Sequence, residues 1–187
     1  MKALHLLTTV AAAALLAACS TASKPAAAPA KAAPATVALK PTSVPIAPGA
    51  KQPVQGKLRF VDTGYVVQVT GEVSGLKPGA LHGFHVHEHG DCSAPDASSA
   101  GGHFNPTGAP HGAHGHGHHH IGDMPQLLAD AKGVAKVSFT SHSLKLAGAH
   151  SIVGKSVIVH RDPDDPKAQP TGNSGPRVAC GVIQAGQ

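Results

Sequence analysis

Histidines dominate the stretch from Leu81 to Asp123, which runs LHGFHVHEHGDC, passes through AGGHFNP and closes on HHHIGD. His85 and His87 alternate in a strand-like run, His103 follows in GGHFNP, and His111 and His120-Ile-Gly-Asp123 complete the segment. His160 ends a separate apolar run, SVIVH. Neutral imidazole suits copper and zinc, and a carboxylate adds a harder donor suited to zinc. His85, His87, His103, His111, His120, Asp123 and His160 therefore divide into an all-nitrogen set and a set with one carboxylate, which is the donor inventory of two metal centres.

Successive side chains of a strand point to opposite faces. His85 and His87 then share one face and Phe84 and Val86 the other, so the apolar pair is expected in the core and the imidazoles toward a covering loop. His82 has the parity of Phe84 and is expected as a core or supporting histidine. His89 has ligand parity but sits where the strand ends, and its role stays open. His114, His116, His118 and His119 exceed what a zinc site needs; either His118 or His119 could stand in for His120, but the His-x-x-Asp spacing favours His120. The four extra histidines are expected to capture zinc or copper loosely.

The elements that must hold these donors are short β-like runs between Gly and Pro turns: 36–39, 54–61, 65–73, 80–89, 127–129, 135–140, 156–160 and 177–183. With no convincing amphipathic helix, the pattern predicts one all-β domain, an antiparallel sandwich or barrel. Residues 90–126 and 161–176 are too long and polar for hairpin turns, and long irregular loops in a compact domain are usually functional.

The 187 residues fit one domain with added sequence at its start. Residues 1–18 read as a signal peptide whose apolar run is too short to span a bilayer permanently. Leu16-Ala17-Ala18-Cys19 resembles the site cut by bacterial lipoprotein signal peptidase, so Cys19 is the expected lipidation site. Residues 19–35, interrupted by Pro25, Pro29 and Pro34, read as a lipidated Ala/Pro-rich linker, and 36–187 as the domain. Ser20, in place of the Asp that retains such proteins in the inner membrane, directs the expectation to the outer membrane, facing the periplasm. With Cys19 set aside, Cys92 and Cys180 remain, and an even pair in an exported chain reads as one disulfide. The formal charge of +5 comes without any Lys/Arg run interleaved with aromatics, so nucleic acid is not an expected partner.

HGFHVHEHGD, GGHFNP, HIGD, SVIVH and the terminal TGNSGPRVACGVI together resemble the copper/zinc superoxide dismutase family, in its bacterial lipoprotein form, from about Thr36 to Gln187. The resemblance implies an eight-stranded antiparallel Greek-key barrel, an immunoglobulin-like sandwich in its broad class, with the metals beneath two long loops. It implies one copper on His85, His87, His103 and His160, and one zinc on His103, His111, His120 and Asp123, with His103 shared. Asp164 matches a carboxylate tying a copper-ligand histidine to a zinc-ligand histidine. Arg177 matches the arginine that receives the anion beside copper, Thr171 the threonine that narrows the channel, and Cys92–Cys180 the disulfide pinning the metal-binding loop. The implied reaction is dismutation of superoxide to dioxygen and hydrogen peroxide, with Arg177 and His103 as its catalytic residues. Two features depart from eukaryotic members: the interval from Cys92 to His103 is longer, and the loop from Arg161 to Pro176 is shorter. Monomer and homodimer both stay open. A metal-storing lipoprotein and a catalytically silent member of the same fold are the rival classes; the complete ligand set with Arg177 argues against the silent member.

Overall fold

The computed structural model describes residues 31–50 and 52–186. The expected signal peptide, Cys19 and most of the linker lie outside the described residues. Ten strands follow in order: β1 (Ala35–Pro41), β2 (Gln55–Asp62), β3 (Val67–Ser74), β4 (Leu81–His82), β5 (Phe84–His87), β6 (Leu127–Leu128), β7 (Ala135–Ser141), β8 (Ser156–His160), β9 (Arg177–Val182) and β10 (Gln184–Ala185). One short 3-10 turn, Ser98–Ala100, interrupts the first long loop. Among the described residues no helix is long and apolar enough to cross a membrane.

The fold is all-β, built on an eight-stranded antiparallel sheet in the order β5-β8-β9-β1-β2-β3-β7, with β10 pairing the start of β1. A two-stranded ribbon, β4-β6, is the second sheet, and β6 lies against β7. Because β4 runs into β5 through Gly83, the ribbon links the two outer strands of the large sheet and helps it curl.

Alternation sets which side chains enter the core. In β1, Ala35, Val37 and Leu39 are buried between exposed neighbours, and Leu58, Phe60, Val67, Val69 and Val73 do the same in β2 and β3. Each such Val, Leu or Phe burial stabilises by about 1.5–3 kcal/mol relative to exposure. β5 and β8 differ, being buried on both faces. Phe84, Val86, Val157 and Val159 join the main core, while Ile158 packs outward with Ala97, Ala100 and Cys180 beneath the first loop. His85, His87 and His160 have the same outward parity as Ile158, and all three are buried because loops cover that face.

The run expected as one strand over 80–89 is two. β4 pairs β6, β5 pairs β8, and the chain changes partner at Gly83. A Cβ on Gly83 would meet Ser174 Oγ at 2.5 Å, so only glycine permits this close approach.

Candidate metal centre

The first long loop lies on the otherwise open edge of β5. Val86 N–H donates to Gly122 O at 2.8 Å, Phe104 N–H donates to Val86 O at 2.8 Å, and Gly122 N–H donates to Phe104 O at 2.9 Å. His87 bridges His103 and His85 bridges Asp123 in the manner of single ladder rungs. The glycine of the HIGD motif is what allows the approach, since a Cβ on Gly122 would sit 2.2 Å from Val86 O. This backbone docking sets the loop-borne His103, His111, His120 and Asp123 beside the strand-borne His85, His87 and His160.

Two sets of donors result. His85, His87, His103 and His160 each bring a ring nitrogen to within 4.8 Å of the others, as do His103, His111, His120 and the Asp123 carboxylate. All seven residues are buried, and His103 belongs to both sets.

The remaining ring nitrogens are taken up by partners that fix each tautomer. His85 Nε2–H donates to Asp164 Oδ1 at 3.1 Å, leaving Nδ1 for the centre. His87 Nδ1–H donates to Gly101 O at 2.9 Å and His160 Nδ1–H to Gly175 O at 3.0 Å, leaving Nε2 on each. Those two Nε2 atoms stand 3.4 Å apart. Two lone pairs facing each other at that distance repel unless a cation lies between them. The spacing suits two nitrogens about 2.0–2.1 Å from one tetrahedral ion. His85 Nδ1, His103 Nε2 and His111 Nδ1 are buried without a hydrogen-bond partner. His111 Nδ1 lies 3.1 Å from Asp123 Oδ2 without forming a hydrogen bond to it. Buried unpaired nitrogens are costly, and an ion in each set would satisfy them. The donors present therefore fit copper in the all-imidazole set and zinc in the set containing a carboxylate, one site of each per chain.

Carboxylates hold the zinc-type set together. His103 Nδ1 lies 2.9 Å from Asp123 Oδ1, and the backbone N–H groups of Gly112 and His120 donate to Asp123 Oδ2 at 3.1 and 2.9 Å. Asp164 reaches across both sets, accepting from His85 at Oδ1 and from His111 Nε2 at Oδ2, 3.1 Å each, with Ser174 Oγ–H donating to Oδ1 at 2.7 Å. Burial opposes ionisation of Asp123 and Asp164, but their histidine partners outweigh it and hold both carboxyls well below the ordinary range. Burial, reinforced by neighbouring imidazoles, lowers His87, takes His160 down to about 3, and takes His103 down to about 4 against the pull of Asp123. These rings are neutral at physiological pH, the form that binds metal. His111 goes the other way: burial lowers it, but Asp123 and Asp164 on its two sides raise it to about 9.

Beside the copper-type set opens a cavity of about 170 Å³ lined by His87, His103, His160, Thr171, Asn173 and Arg177, among others. Arg177 is held by donating from Nη1 to Ala97 O and from Nη2 to Gly101 O, both at 2.6 Å. A guanidinium has five N–H donors, so the rest can face the cavity. Gly101 O thus receives both Arg177 and His87. The Cys92–Cys180 disulfide is present, with Cα atoms 5.8 Å apart, and ties this loop to β9.

His82, fully buried, donates from Nδ1 to His160 O at 3.1 Å, so it supports the copper-type set through the backbone. His89 is exposed beside Glu88 and belongs to neither set. The four extra loop histidines also lie outside both sets. Gln126 and Gln169 were not singled out from the sequence. Gln126 exchanges two hydrogen bonds with the Asp164 backbone, and Gln169 exchanges two with the His111 backbone. A lone glutamine carries no spacing signal that would have marked either.

The sequence model of the family described as copper/zinc superoxide dismutase matches residues 54–183. A copper/zinc superoxide dismutase of Paramecium bursaria Chlorella virus 1 is 43% identical over 137 residues, covering 70% of this chain and 73% of the relative. One from Onchocerca volvulus is 42% identical over 144 residues, covering 71% and 90% respectively. The matched span contains every donor of both sets, and the chain belongs to the copper/zinc superoxide dismutase family.

Proposed function

We propose that this chain converts two superoxide anions and two protons into dioxygen and hydrogen peroxide, with copper held by His85, His87, His103 and His160 and zinc by His103, His111, His120 and Asp123. The observation that carries the reading is His103: it belongs to both donor sets, with Nδ1 in the carboxylate set and a buried, unpartnered Nε2 facing the all-imidazole set. Copper, when bound, exchanges single electrons with the substrate, and zinc holds a fixed positive charge.

The chain's own residues do the rest. Arg177 draws the anion into the cavity and orients it, a charge whose pull is strengthened by partial desolvation. Thr171 at the rim narrows the entrance to small anions. His103 Nε2, when it is not engaged by a metal, can take a proton from solvent and give it up to the product peroxide, while Asp123 keeps the ring in place from the other side. Asp164 keeps His85 and His111 in the tautomers that ligation needs, as hydrogen bonds behind metal ligands do. The test is the rate of superoxide loss catalysed by the copper- and zinc-loaded protein beside an Arg177→Ala variant. Fast turnover with a drop of about tenfold or more in the variant is expected; no activity in the loaded wild type would leave a metal-storing protein as the reading.

The same proposal places the enzyme at the bacterial cell envelope, facing the periplasm and tethered to the outer membrane through lipid on Cys19, with residues 20–35 as spacer. The Leu-Ala-Ala-Cys sequence and a cysteine pair suited to an oxidising compartment support it. Replacing Cys19 by Ser should move the protein from the membrane to the soluble fraction, and mass spectrometry of the mature N-terminus should find acyl chains on Cys19. An unmodified terminus would remove the anchor.

A further inference from the structure

Between His111 and His120 the chain carries histidines that neither metal set uses, and two of them are prepared as ligands are. His114 Nδ1–H donates to Asp123 O at 2.9 Å, and His119 Nδ1–H donates to His120 O at 2.7 Å. In both rings the proton is therefore fixed on Nδ1, which places the lone pair on Nε2; an ion would displace the long Gly115 N–H contact to His119 Nε2. His87 and His160 are fixed in the same way by Gly101 and Gly175. The two rings lie 5.4 Å apart between centroids. Pairs that share a donor set lie from 3.9 Å apart for His85–His103 to 6.3 Å for His103–His160, and this pair falls within that range.

The pair is anchored as well as oriented. His114 packs edge-on against Phe139 of β7, and its Nε2 makes only a long 3.5 Å contact with Thr140 O. His119 Nε2 already acts as an acceptor, receiving Gly115 N–H at 3.3 Å. Between the pair lies an exposed tip, Gly115 to His118, in which Gly115 and Gly117 both have positive φ. The tip carries His116 and His118, both exposed and within a few residues of the pair.

We propose that His114 and His119 form the base of a third metal site, completed by His116 or His118, which takes one zinc ion at the protein surface and passes it inward to the set of His103, His111, His120 and Asp123. Three neutral imidazoles suit zinc and leave a position open, so the ion is held less tightly than by the inner set with its carboxylate. The hydrogen bonds that prepare the outer pair end on the carbonyls of His120 and Asp123, so the outer and inner ligands are joined residue to residue. Binding of the third ion stands on its own; its delivery inward rests on the zinc assignment above.

The experiment uses the copper- and zinc-loaded protein titrated with zinc and followed by calorimetry. A third metal ion, the second zinc, is expected in the wild type, with the dissociation constant rising about tenfold or more both in His114→Gln/His119→Gln and in His116→Gln/His118→Gln. The second variant alters only the exposed tip, so it reads the site even if the first fails to fold. His142→Gln/His150→Gln, which removes exposed histidines elsewhere, should bind the third ion as the wild type does. No third ion in the wild type, full retention in both loop variants, or an equal loss in the control overturns the site. For delivery, metal-free protein is given limiting zinc against a chelator; loop variants should fill the inner set about threefold or more slowly. Equal rates overturn delivery while the titration judges the site. Failure of the inner set to take zinc in any form of the protein is a separate result, and it would overturn the zinc assignment and delivery with it.

Discussion

The two donor sets are built by different means. His85, His87 and His160 sit on β5 and β8, whose register is fixed by pairing from Phe84↔Val159 to His87↔Ser156 and by a core on the opposite face. His111, His120 and Asp123 sit on a loop with no ladder of its own, held by the backbone bonds to Val86 and by side chains: Asp123, Asp164 and Gln169. The strand-borne ligands inherit their positions from the fold. The loop-borne ligands depend in part on Asp123, itself a metal ligand, and on Asp164, which bonds a ligand from each set. One half of the centre should therefore tolerate loss of a ligand without losing shape, and the other should not.

His160→Ala gives the largest expected effect and tests the first half. Dismutation should fall by roughly a thousandfold or more as the redox metal is lost, while zinc affinity stays within about threefold because the loop is untouched. A parallel loss of zinc binding would show that the two sets are not independent. Asp123→Ala tests the second half. It removes a buried carboxylate that accepts from two backbone N–H groups and lies 2.9 Å from His103 Nδ1, leaving those donors buried without a partner. The metal-free protein should lose about 3 kcal/mol or more in urea unfolding, well above the loss in His160→Ala.

Asp164→Asn addresses the residue common to both halves. An amide can still accept at its oxygen but cannot serve His85 and His111 alike, so affinity for one or both metals should drop about 10–100-fold. Metal-binding titrations that find neither changed would remove Asp164 as a link.

The smallest effect is a proton count. His111 in the metal-free protein titrates at about 9, above its ordinary 6.5, because Asp123 and Asp164 flank it. A raised value means that its contribution to stability is complete below about pH 6.5 and fades as pH climbs through 9. Zinc needs the neutral ring, so binding at pH 7.5 should release about one proton and tighten up to about pH 9. Calorimetry in buffers of different ionisation enthalpy would read the proton directly. No release at pH 7.5 would show that the flanking carboxylates do not charge His111.

Strand-borne and loop-borne features also differed in how far the sequence disclosed them. Period-two alternation and Gly/Pro punctuation located β2, β3, β7, β8 and β9 to within two residues, and parity correctly put His82 in the interior and His85 with His87 on the metal face. The break at Gly83 was hidden because the close approach that requires glycine there is to Ser174, far along the chain, and β10 was too short to show a period. Residues 90–126 lack a period because only isolated rungs join them to β5, so no local pattern shows how His103 and Asp123 reach His87 and His85. The two donor sets were nonetheless assigned in full through the family motifs. What escaped was the scaffolding by Gln126, Gln169 and the Gly101 carbonyl, whose contacts are made with distant backbone.

The Gly101 carbonyl accepts from the ring that faces copper and from the guanidinium that faces the substrate. Any change that shifts this one oxygen, whether in the 3-10 turn or in the disulfide-tied loop, moves both groups together. Anion affinity and the electronic setting of the metal are then not free to drift apart over generations. Variants selected for one should carry a correlated change in the other, so the loop acts as a single dial, not two.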